Sequence, residues 1–554
     1  MSQRARITVS LLLCLALSVA LTTPVAGQFD PVGEVLRPAD SNNFTSVAEK
    51  DGYVYVGTSG GIFYIFDART VSLDGPFRTI NAEVSKQDLS VRALLRIGNK
   101  LYVAGDGLLV MDVTNPAAPV AGIKMLTGVP RYMSNSGDYL FATGPNSLVV
   151  YSLSDPSSPA IVAETTLGGD SGYSVARLGE NIYVGVIRSG QYFLRVFSWP
   201  GQAATILPVR EIGLSDVPYH LIVNGDYLAS SWGNTTIIWS LADPSSPAQV
   251  DEETTGGRAA LLWGDKLVTN GRVHSWHGPL LDLFSAYAPG GGQSDGVPHG
   301  AAGNADFVFI AQSARILILA TPPTLLFPQY VNGQYGGLAN RTRLILRNSG
   351  TATVTGLARF RTSAGAANPV PIGGTNHSEV EYSIPAGGTY QVTTGGTGTL
   401  TVGPLELRSD TVGDTAIRGT EIFDLLGYSV SVQNAPLAKV HTAFVSRTGS
   451  ENTGVAMYNP SFDVSFQIEA RLFNKNGVQV AGPVTLTLAP RHQTAVFLTD
   501  AALFQAFMAG AGDFEGTLKL TVTAGGPISV VSLLQKSNGA LLAVPVESQT
   551  PPGP

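Results

Sequence analysis

The sequence predicts an all-β protein: a seven-bladed β-propeller followed by two immunoglobulin-like β-sandwiches. Three observations predict it. A unit of about 42 residues recurs seven times between residues 31 and 323. Each unit holds short alternating strands, typically four, separated by Gly, Asp or Pro turns. Beyond Leu325 the period changes, and a unit of about 110 residues, again all strand and turn, occurs twice.

The N-terminus, MSQRARITVSLLLCLALSVALTTPVAGQFD, puts Arg4 and Arg6 before an apolar run from Ile7 to about Leu21. Small residues follow, and Val25 and Gly27 suit the −3 and −1 positions of a signal-peptidase site. Residues 1–27 therefore read as a secretory signal, too short in its apolar run for the roughly 20 residues a bilayer requires. The only cysteine, Cys14, lies within it. The expected mature chain has no cysteine although its destination permits disulfides, so stability has to come from buried apolar surface. Losing Arg4 and Arg6 takes the formal charge from −7 to −9. A mildly acidic chain with 14% charged residues argues against a nucleic-acid partner. No second apolar run of spanning length occurs. Export to the bacterial periplasm or the cell exterior is the expected localisation.

The repeat shows most clearly as a turn followed by an apolar strand: DGYVYVG (51–57), GNKLYVAG (98–105), GDYLFATG (137–144), GENIYVGV (179–186), GDYLASS (225–231), GDKLVTN (264–270) and ADFVFIA (305–311). Their starts are 47, 39, 42, 46, 39 and 41 residues apart. A second strand follows each, as in IFYIFD (62–67) or TIIWSL (236–241), a short strand precedes each, and a fourth follows most. That is the signature of propeller blades.

The phrase LSDPSSPAIV (153–162) returns as LADPSSPAQV (241–250), 88 positions or two blade periods later, and TNPAAP (114–119) is the same turn. Asp155 or Asn115 caps the turn with its own side chain, and the proline after it presets φ. The second proline, such as Pro159, precedes the outer strand, where a missing N–H does least harm. The phrase is a structural turn. The last unit is one strand short, since ILILA (316–320) runs into TPP (321–323). PVGEVLR (31–37) is expected to supply the missing strand and close the ring.

The unit GNKLYVAGDGLLVMDVTNPAAPVAG (98–122) resembles the LVIVD repeat of secreted bacterial and archaeal β-propeller proteins. LLVMDVTNPAAP carries that family's apolar-Asp-apolar-(Asn/Asp)-Pro-x-x-Pro pattern, with Ser152, Ser198 and Ser240 replacing the Asp in the third to fifth units. The resemblance covers about residues 31–321. It implies a propeller, often surface-associated and fused to other domains, with no common activity.

In the C-terminal half, RTRLILRNSGTATVTGLARFR (341–361) is echoed by NTGVAMYNPSFDVSFQIEARLF (452–473). YSIPAGGTYQVTT (382–394) is echoed by LTLAPRHQTAVFLTD (486–500), and GTLTVGPLELRSD (398–410) by GTLKLTVTAGG (516–526). The expected domains are thus the propeller at 28–323, sandwiches at 324–435 and 436–547, and a disordered tail at 548–554. One helix is expected, TDAALFQAFMAG (499–510), with Asp500 near its start.

Motifs for chemistry are few. GDSG (169–172) looks like a serine-protease nucleophile loop, but other blades have SDVP, TGVP and SDGVP at that position, so the repeat explains it. HSWH (274–277) supplies two histidines, half of what a metal site needs. Aligning the blades is more informative. Six residues before each turn stands one polar or amphipathic residue at the start of the innermost strand: Thr45, Arg92, Arg131, Tyr173, Tyr219, Arg258 and His299. Equivalent register places them on one face, as a ring at the channel mouth. Arg forks and Tyr hydroxyls suit carboxylate, phosphate or sugar oxygens. Just upstream, Asp40, Asp88, Asp170, Asp216 and Asp295 form a candidate acidic rim, placed to pair with the arginines or to hold a cation such as Ca²⁺.

The leading functional reading is a secreted, non-catalytic binding or scaffold protein, with an extracellular glycan, an anionic small molecule or a protein as partner at the channel mouth. A propeller hydrolase or lyase on a sugar or anionic substrate is the first alternative, needing an acid–base pair such as His299 with Asp295 or Asp216. An adhesin whose sandwiches carry the binding is the second. The closure of the ring is directly testable: deletion of residues 28–40 is expected to lower the melting temperature of the whole propeller, and a truncated chain that melts like the parent would refute the closing strand.

Overall fold

The structure is a computed structural model and describes residues 29–549, apart from residues 30, 40–41, 74–76, 126–129, 202–204, 233–234, 255–260, 265, 270–271, 278–279, 287–299, 305, 411–415, 426 and 463. The protein is all-β, and the N-terminal half is a propeller-like ring of six sheets. Outward from the centre, the first sheet runs Phe44–Lys50, Tyr53–Thr58, Ile62–Asp67 and Glu83–Asp88. The second runs Ala93–Ile97, Lys100–Gly105, Gly107–Asp112 and Val120–Met125. The third has six strands: Tyr132–Ser136, Tyr139–Ser152, Ala160–Leu178, Asn181–Arg188, Gln191–Ser198 and Leu207–Leu214. The fourth starts at His220–Asn224 and ends at Ala248–Glu253, and the fifth lies between Leu261–Trp263 and Leu280–Ala286. The sixth contains Gly300–Gly303, Phe307–Ala311, Arg315–Ala320 and, from the start of the chain, Pro31–Leu36. Innermost strands touch their neighbours around the ring, Phe44–Lys50 meeting both Ala93–Ile97 and Gly300–Gly303.

The third sheet spans two of the units in the sequence, and its continuity has a local cause. TGVP (127–130) and SDVP (215–218) place a proline ahead of the next innermost strand, which breaks the ladder. GDSG (169–172) has none, so Ala160–Leu178 pairs first with Tyr139–Ser152 and then, past Gly168 and Gly169, with Asn181–Arg188.

Because the sheets stack around the ring, both faces of the central strands are buried. In Tyr53–Thr58, Val54 and Val56 join Phe309 and Ile318 of the sixth sheet, and Tyr55 joins Leu101, Val103 and Met111 of the second. The same strand carries the device that uses the repeated turn. Tyr55 donates its hydroxyl to the Pro116 carbonyl (3.0 Å), Tyr102 to that of Pro156 (2.9 Å) and Tyr183 to that of Pro244 (2.8 Å). Each bond crosses from one repeat to the first proline of the (Asn/Asp)-Pro-x-x-Pro turn in the next. The turns are held in shape by Asn115, Asp155 and Asp243, whose side chains accept the N–H groups of Ala117, Ser157 and Ser245. Where the next repeat lacks the turn, the tyrosine is absent too: the equivalent residues are Phe141, Ala229 and Val268. Beside Phe141 the guanidinium of Arg177 lies over the rings of Tyr139, Phe141 and Trp199 at 5.7, 5.3 and 5.1 Å.

Pro31–Leu36 pairs antiparallel with Arg315–Ala320, joining the two ends of the ring. On its other side it pairs in parallel with Arg78–Ile80. Glu34 serves both neighbours, with an ion pair to Arg315 (2.7 Å) and a hydrogen bond from Thr79 (3.2 Å).

The C-terminal half repeats one topology. Leu325–Tyr335 pairs with Leu338–Asn348 and Thr401–Ser409, as Val440–Thr448 pairs with Glu451–Tyr458 and Phe514–Ala524. Leu338–Asn348 pairs with Thr389–Thr393 and Ile417–Leu425, as Glu451–Tyr458 pairs with Gln493–Phe497 and Ile528–Lys536. Each half has its own apolar core. The echo extends to a plug residue. Asn348 donates its amide to the carbonyls of Ala352, Ile384 and Pro385 and accepts the Gly350 N–H; Asn459 donates to Val464, Leu488 and Ala489 and accepts the Ser461 N–H. Both asparagines are fully buried, so each holds a loop closed at its base.

Two expectations are corrected here. The helix is Gln505–Ala511, shorter than 499–510, because Asp500 directs its carboxylate back to the Phe497 N–H (2.8 Å) and the chain turns until Phe504. Residues 548 and 549 belong to a strand, Val546–Gln549, paired with Val440–Thr448, and Ser548 meets the ring of His441 at 2.9 Å. Residues 550–554 lie outside the described residues.

The halves join through charge. Glu406, in Thr401–Ser409, is bound by Arg361 (3.2 Å), by Arg491 (3.1 Å) and by the Tyr458 hydroxyl (2.6 Å). Arg491 also donates to the Leu73 carbonyl of the propeller (3.1 Å) and lies 4.4 Å over Phe462, which packs on the propeller core. Arg408 donates to Thr321 (3.0 Å), and both Arg408 and Arg359 face Asp306. Burial opposes the Glu406 charge, but Arg491, Arg361 and Arg408 outweigh it and bring its carboxyl down to about 2. Glu421 is as deeply buried, has no hydrogen-bond partner for either oxygen among the described residues, and is pushed up by burial alone.

These features predict three measurements. Tyr102→Phe should lower unfolding stability by about 0.5–1.5 kcal/mol, the usual worth of one hydrogen bond, in urea titrations, whereas a loss below the error of the method would show that the inter-repeat bond is idle. Glu406→Gln should cost about 3–5 kcal/mol, because it leaves arginines buried without their counter-charge. With a depressed folded pKa, the Glu406 contribution is present above pH 4.5 and is lost as pH falls toward 2, so the variant should have a flatter acid limb. Glu421 has the opposite sign: its contribution is present below pH 4.5 and is lost as pH rises, so Glu421→Met should be more stable than the parent at pH 7 by a margin that shrinks toward pH 4.

Candidate functional site

The innermost strands begin at one face of the ring, and there the chain encloses a central cavity of about 390 Å³. Arg92, Arg131 and Tyr219 occupy equivalent places: their N–H groups donate to the carbonyls of Ala104, Thr143 and Ser231, each twelve residues on. Thr45 and Tyr173 sit at the same point in ladders that shift register there, between Phe44 and Ser46 and between Gly172 and Ser174. Gly105 makes room for the entry segment of the second sheet, since a Cβ there would lie 1.9 Å from the Ser90 carbonyl oxygen. Thr45, Arg92 and Tyr219 line the cavity, together with Ser46, Ser90, Tyr132 and Ser134.

Tyrosines gather at the mouth. The rings of Tyr132 and Tyr173 are 5.6 Å apart, and those of Tyr173 and Tyr219 are 6.0 Å apart and nearly perpendicular. Burial, then the neighbouring Tyr173 and Tyr219, push the Tyr132 phenol up to about 12, while Arg131 and Arg92 act in the opposite sense. Arg92 is exposed and Arg131 half-buried, and neither forms an ion pair among the described residues. Ser46 is buried, and its hydroxyl has no hydrogen-bond partner among the described residues; the Ser134 hydroxyl has none either. Arg258 and His299 lie outside the described residues.

Tyr132 and Ser46 are not among the positions selected by spacing. Each lies one place beyond a selected residue, and alternation assigns it to the opposite face. The register shift beside Thr45 breaks that alternation at Ser46; the ladder that begins at Tyr132 is regular, and Tyr132 nevertheless lines the cavity. An aromatic directly after Arg131 was the available signal.

The acidic rim does not assemble as expected. Asp170 is buried between Arg188 (3.1 Å) and Arg195, and both arginines also bind Glu211 at 2.7 Å. Its partners are on the next two strands of its own sheet rather than in the channel ring. Asp88 is exposed at the end of Glu83–Asp88, opposite Ile62, and the carboxylate of Asp216 accepts the Val217 N–H at 2.6 Å. Asp40 and Asp295 lie outside the described residues, and with His299 so does half of the acid–base pair that a hydrolase would use. Among the described residues no group of three or more His, Cys, Asp or Glu is placed to hold a metal ion. In HSWH, His274 is buried in Arg272–His277. No helix among the described residues is long and apolar enough to cross a membrane.

A family model for the LVIVD repeat matches residues 90–127 and 131–166. The chain carries LVIVD repeats. The two matched LVIVD repeats contain Arg92 at the start of one and Arg131 at the start of the other, so both unpaired arginines stand at equivalent entries to the ring. No curated protein matches the chain. Among solved structures, the computationally designed Ika8 protein is 12% identical, with a TM-score of 0.36, over 52% of this chain and 99% of its own. The N-terminal domain of Nup159 is 12% identical, with a TM-score of 0.36, over 54% of this chain and 96% of its own.

Proposed function

We propose that this is a secreted, non-catalytic binding protein whose propeller takes an anionic or sugar ligand at its channel mouth, with two immunoglobulin-like sandwiches as its scaffold. The observation that carries the reading is a cavity of about 390 Å³ lined by Arg92, Tyr132 and Tyr219, with Arg131 and Tyr173 next to those tyrosines and neither arginine in an ion pair among the described residues. That volume is in the range of small-ligand pockets. A seven-bladed count follows if the six-stranded sheet is taken as two fused blades, which agrees with the seven repeats in the sequence. Export is supported by Arg4, Arg6 and the apolar run after them.

The face also favours the mouth. Contacts with the C-terminal half come from the other ends of the strands: Asp306 between Gly300–Gly303 and Phe307–Ala311, Thr321 after Arg315–Ala320, and Leu73 after Ile62–Asp67. Among the described residues, the contacts with the C-terminal half thus lie at the end of the ring opposite the arginines.

The test is binding of the full chain to a glycan array and to a panel of small anions. The parent should retain at least one ligand, and Arg92→Ala/Arg131→Ala should weaken that binding at least tenfold with an unchanged melting temperature. Binding untouched in the double variant would move the site away from the mouth.

A further inference from the structure

The chemistry of the mouth narrows the ligand. We propose that it binds an acidic sugar, a pyranose bearing a carboxylate, with the carboxylate on Arg92 and Arg131 and the sugar ring against the Tyr132–Tyr173–Tyr219 cluster. This rests on the reading of the mouth as the binding site.

Three features select this class. Arg92 and Arg131, which form no ion pair among the described residues, carry a planar fork that matches the two oxygens of a carboxylate. The cavity wall is rich in hydroxyls, which give and take hydrogen bonds as sugar hydroxyls do: Ser46, Ser59, Ser90 and Ser134 join the tyrosines there. The Ser46 and Ser134 hydroxyls have no protein partner among the described residues, and buried polar groups are normally satisfied, so an occupant with hydroxyls of its own completes them.

The third feature is aromatic. Tyr132 and Tyr173 are tilted by 30°, and Tyr173 and Tyr219 stand at 82°, so the cluster offers both ring face and ring edge. An aromatic face packs against the C–H face of a pyranose, and phenol hydroxyls reach its rim. Apolar Val47 and Val175 line the same cavity. Inorganic phosphate would engage the arginines and leave the hydroxyl and aromatic walls without a partner. A neutral sugar would leave the arginines without one.

The experiment is calorimetric titration of the full chain with galacturonate and glucuronate oligomers, the matching neutral oligomers, inorganic phosphate and an oligo-glutamate peptide. A uronate oligomer should bind at least tenfold more tightly than its neutral counterpart, phosphate and the peptide. Arg131→Ala should weaken it about tenfold to a hundredfold, the range for a lost charge-assisted hydrogen bond, and Arg131→Lys, which keeps the charge and loses the fork, should not restore it. Tyr132→Ala should weaken the uronate while leaving the melting temperature of the chain within a few degrees of the parent. Equal binding of neutral oligomers, tighter binding of phosphate or the peptide, or full function in Arg131→Lys overturns the acidic-sugar assignment and leaves the mouth as the site. Failure of every probe, together with parent-like behaviour of Arg92→Ala/Arg131→Ala on the wider glycan and anion panels, overturns both.

Discussion

Glu406 is a fully buried carboxylate where three parts of the chain meet, and isolating such a charge from water carries a penalty of several kcal/mol. It is tolerated because Arg361 comes from its own domain, Arg491 and Tyr458 from the next, and Arg491 reaches on to the Leu73 carbonyl of the propeller. Glu406 gains its full set of partners only when both C-terminal units are in place, and Arg491 reaches Leu73 only when the propeller is too. Apolar contact reinforces the arrangement: Val331, Phe423 and Val432 of one C-terminal unit share a core with Ala456 and Val531 of the other. The halves are therefore coupled, and cutting the chain near residue 323 would expose unpaired charge at the break.

The contrast with Glu421 shows what the partners contribute. Both are glutamates buried in β-strands, yet one is held ionised by arginines and the other is driven toward neutrality with nothing to bond it. Burial alone raises Glu421, and at Glu406 the neighbouring arginines outweigh the same effect. A sequence shows neither case, because the partners of Glu406 are 45, 52 and 85 residues away.

Local and periodic features were legible and long-range ones were not. The (Asn/Asp)-Pro-x-x-Pro turns were readable because Asp and Pro act through their own backbone, and the cap by Asp155 matches that reading. Their second role, accepting a tyrosine from the preceding repeat, needed the fold, although the co-occurrence of Tyr55, Tyr102 and Tyr183 with the turn was present in the sequence. Spacing marked Arg92, Arg131, Tyr173 and Tyr219 but passed over Tyr132, which alternation assigns to the opposite face although it lines the cavity. It also grouped Asp170 with the channel, although Arg188 and Arg195 on the next two strands hold it in the sheet.

The same geometry joins stability to site. A propeller has two ends, and the strand turns at one of them are occupied: the proline turns take the inter-repeat tyrosines, and Asp306, Thr321 and Leu73 take the C-terminal arginines. Among the described residues, the tyrosine bonds that join repeat to repeat and the arginine bonds that join half to half are made at that end. Among the described residues, Arg92 and Arg131 at the other end form no ion pair and stand beside the tyrosines. That asymmetry, more than the cavity itself, is why the mouth is the place to look for one.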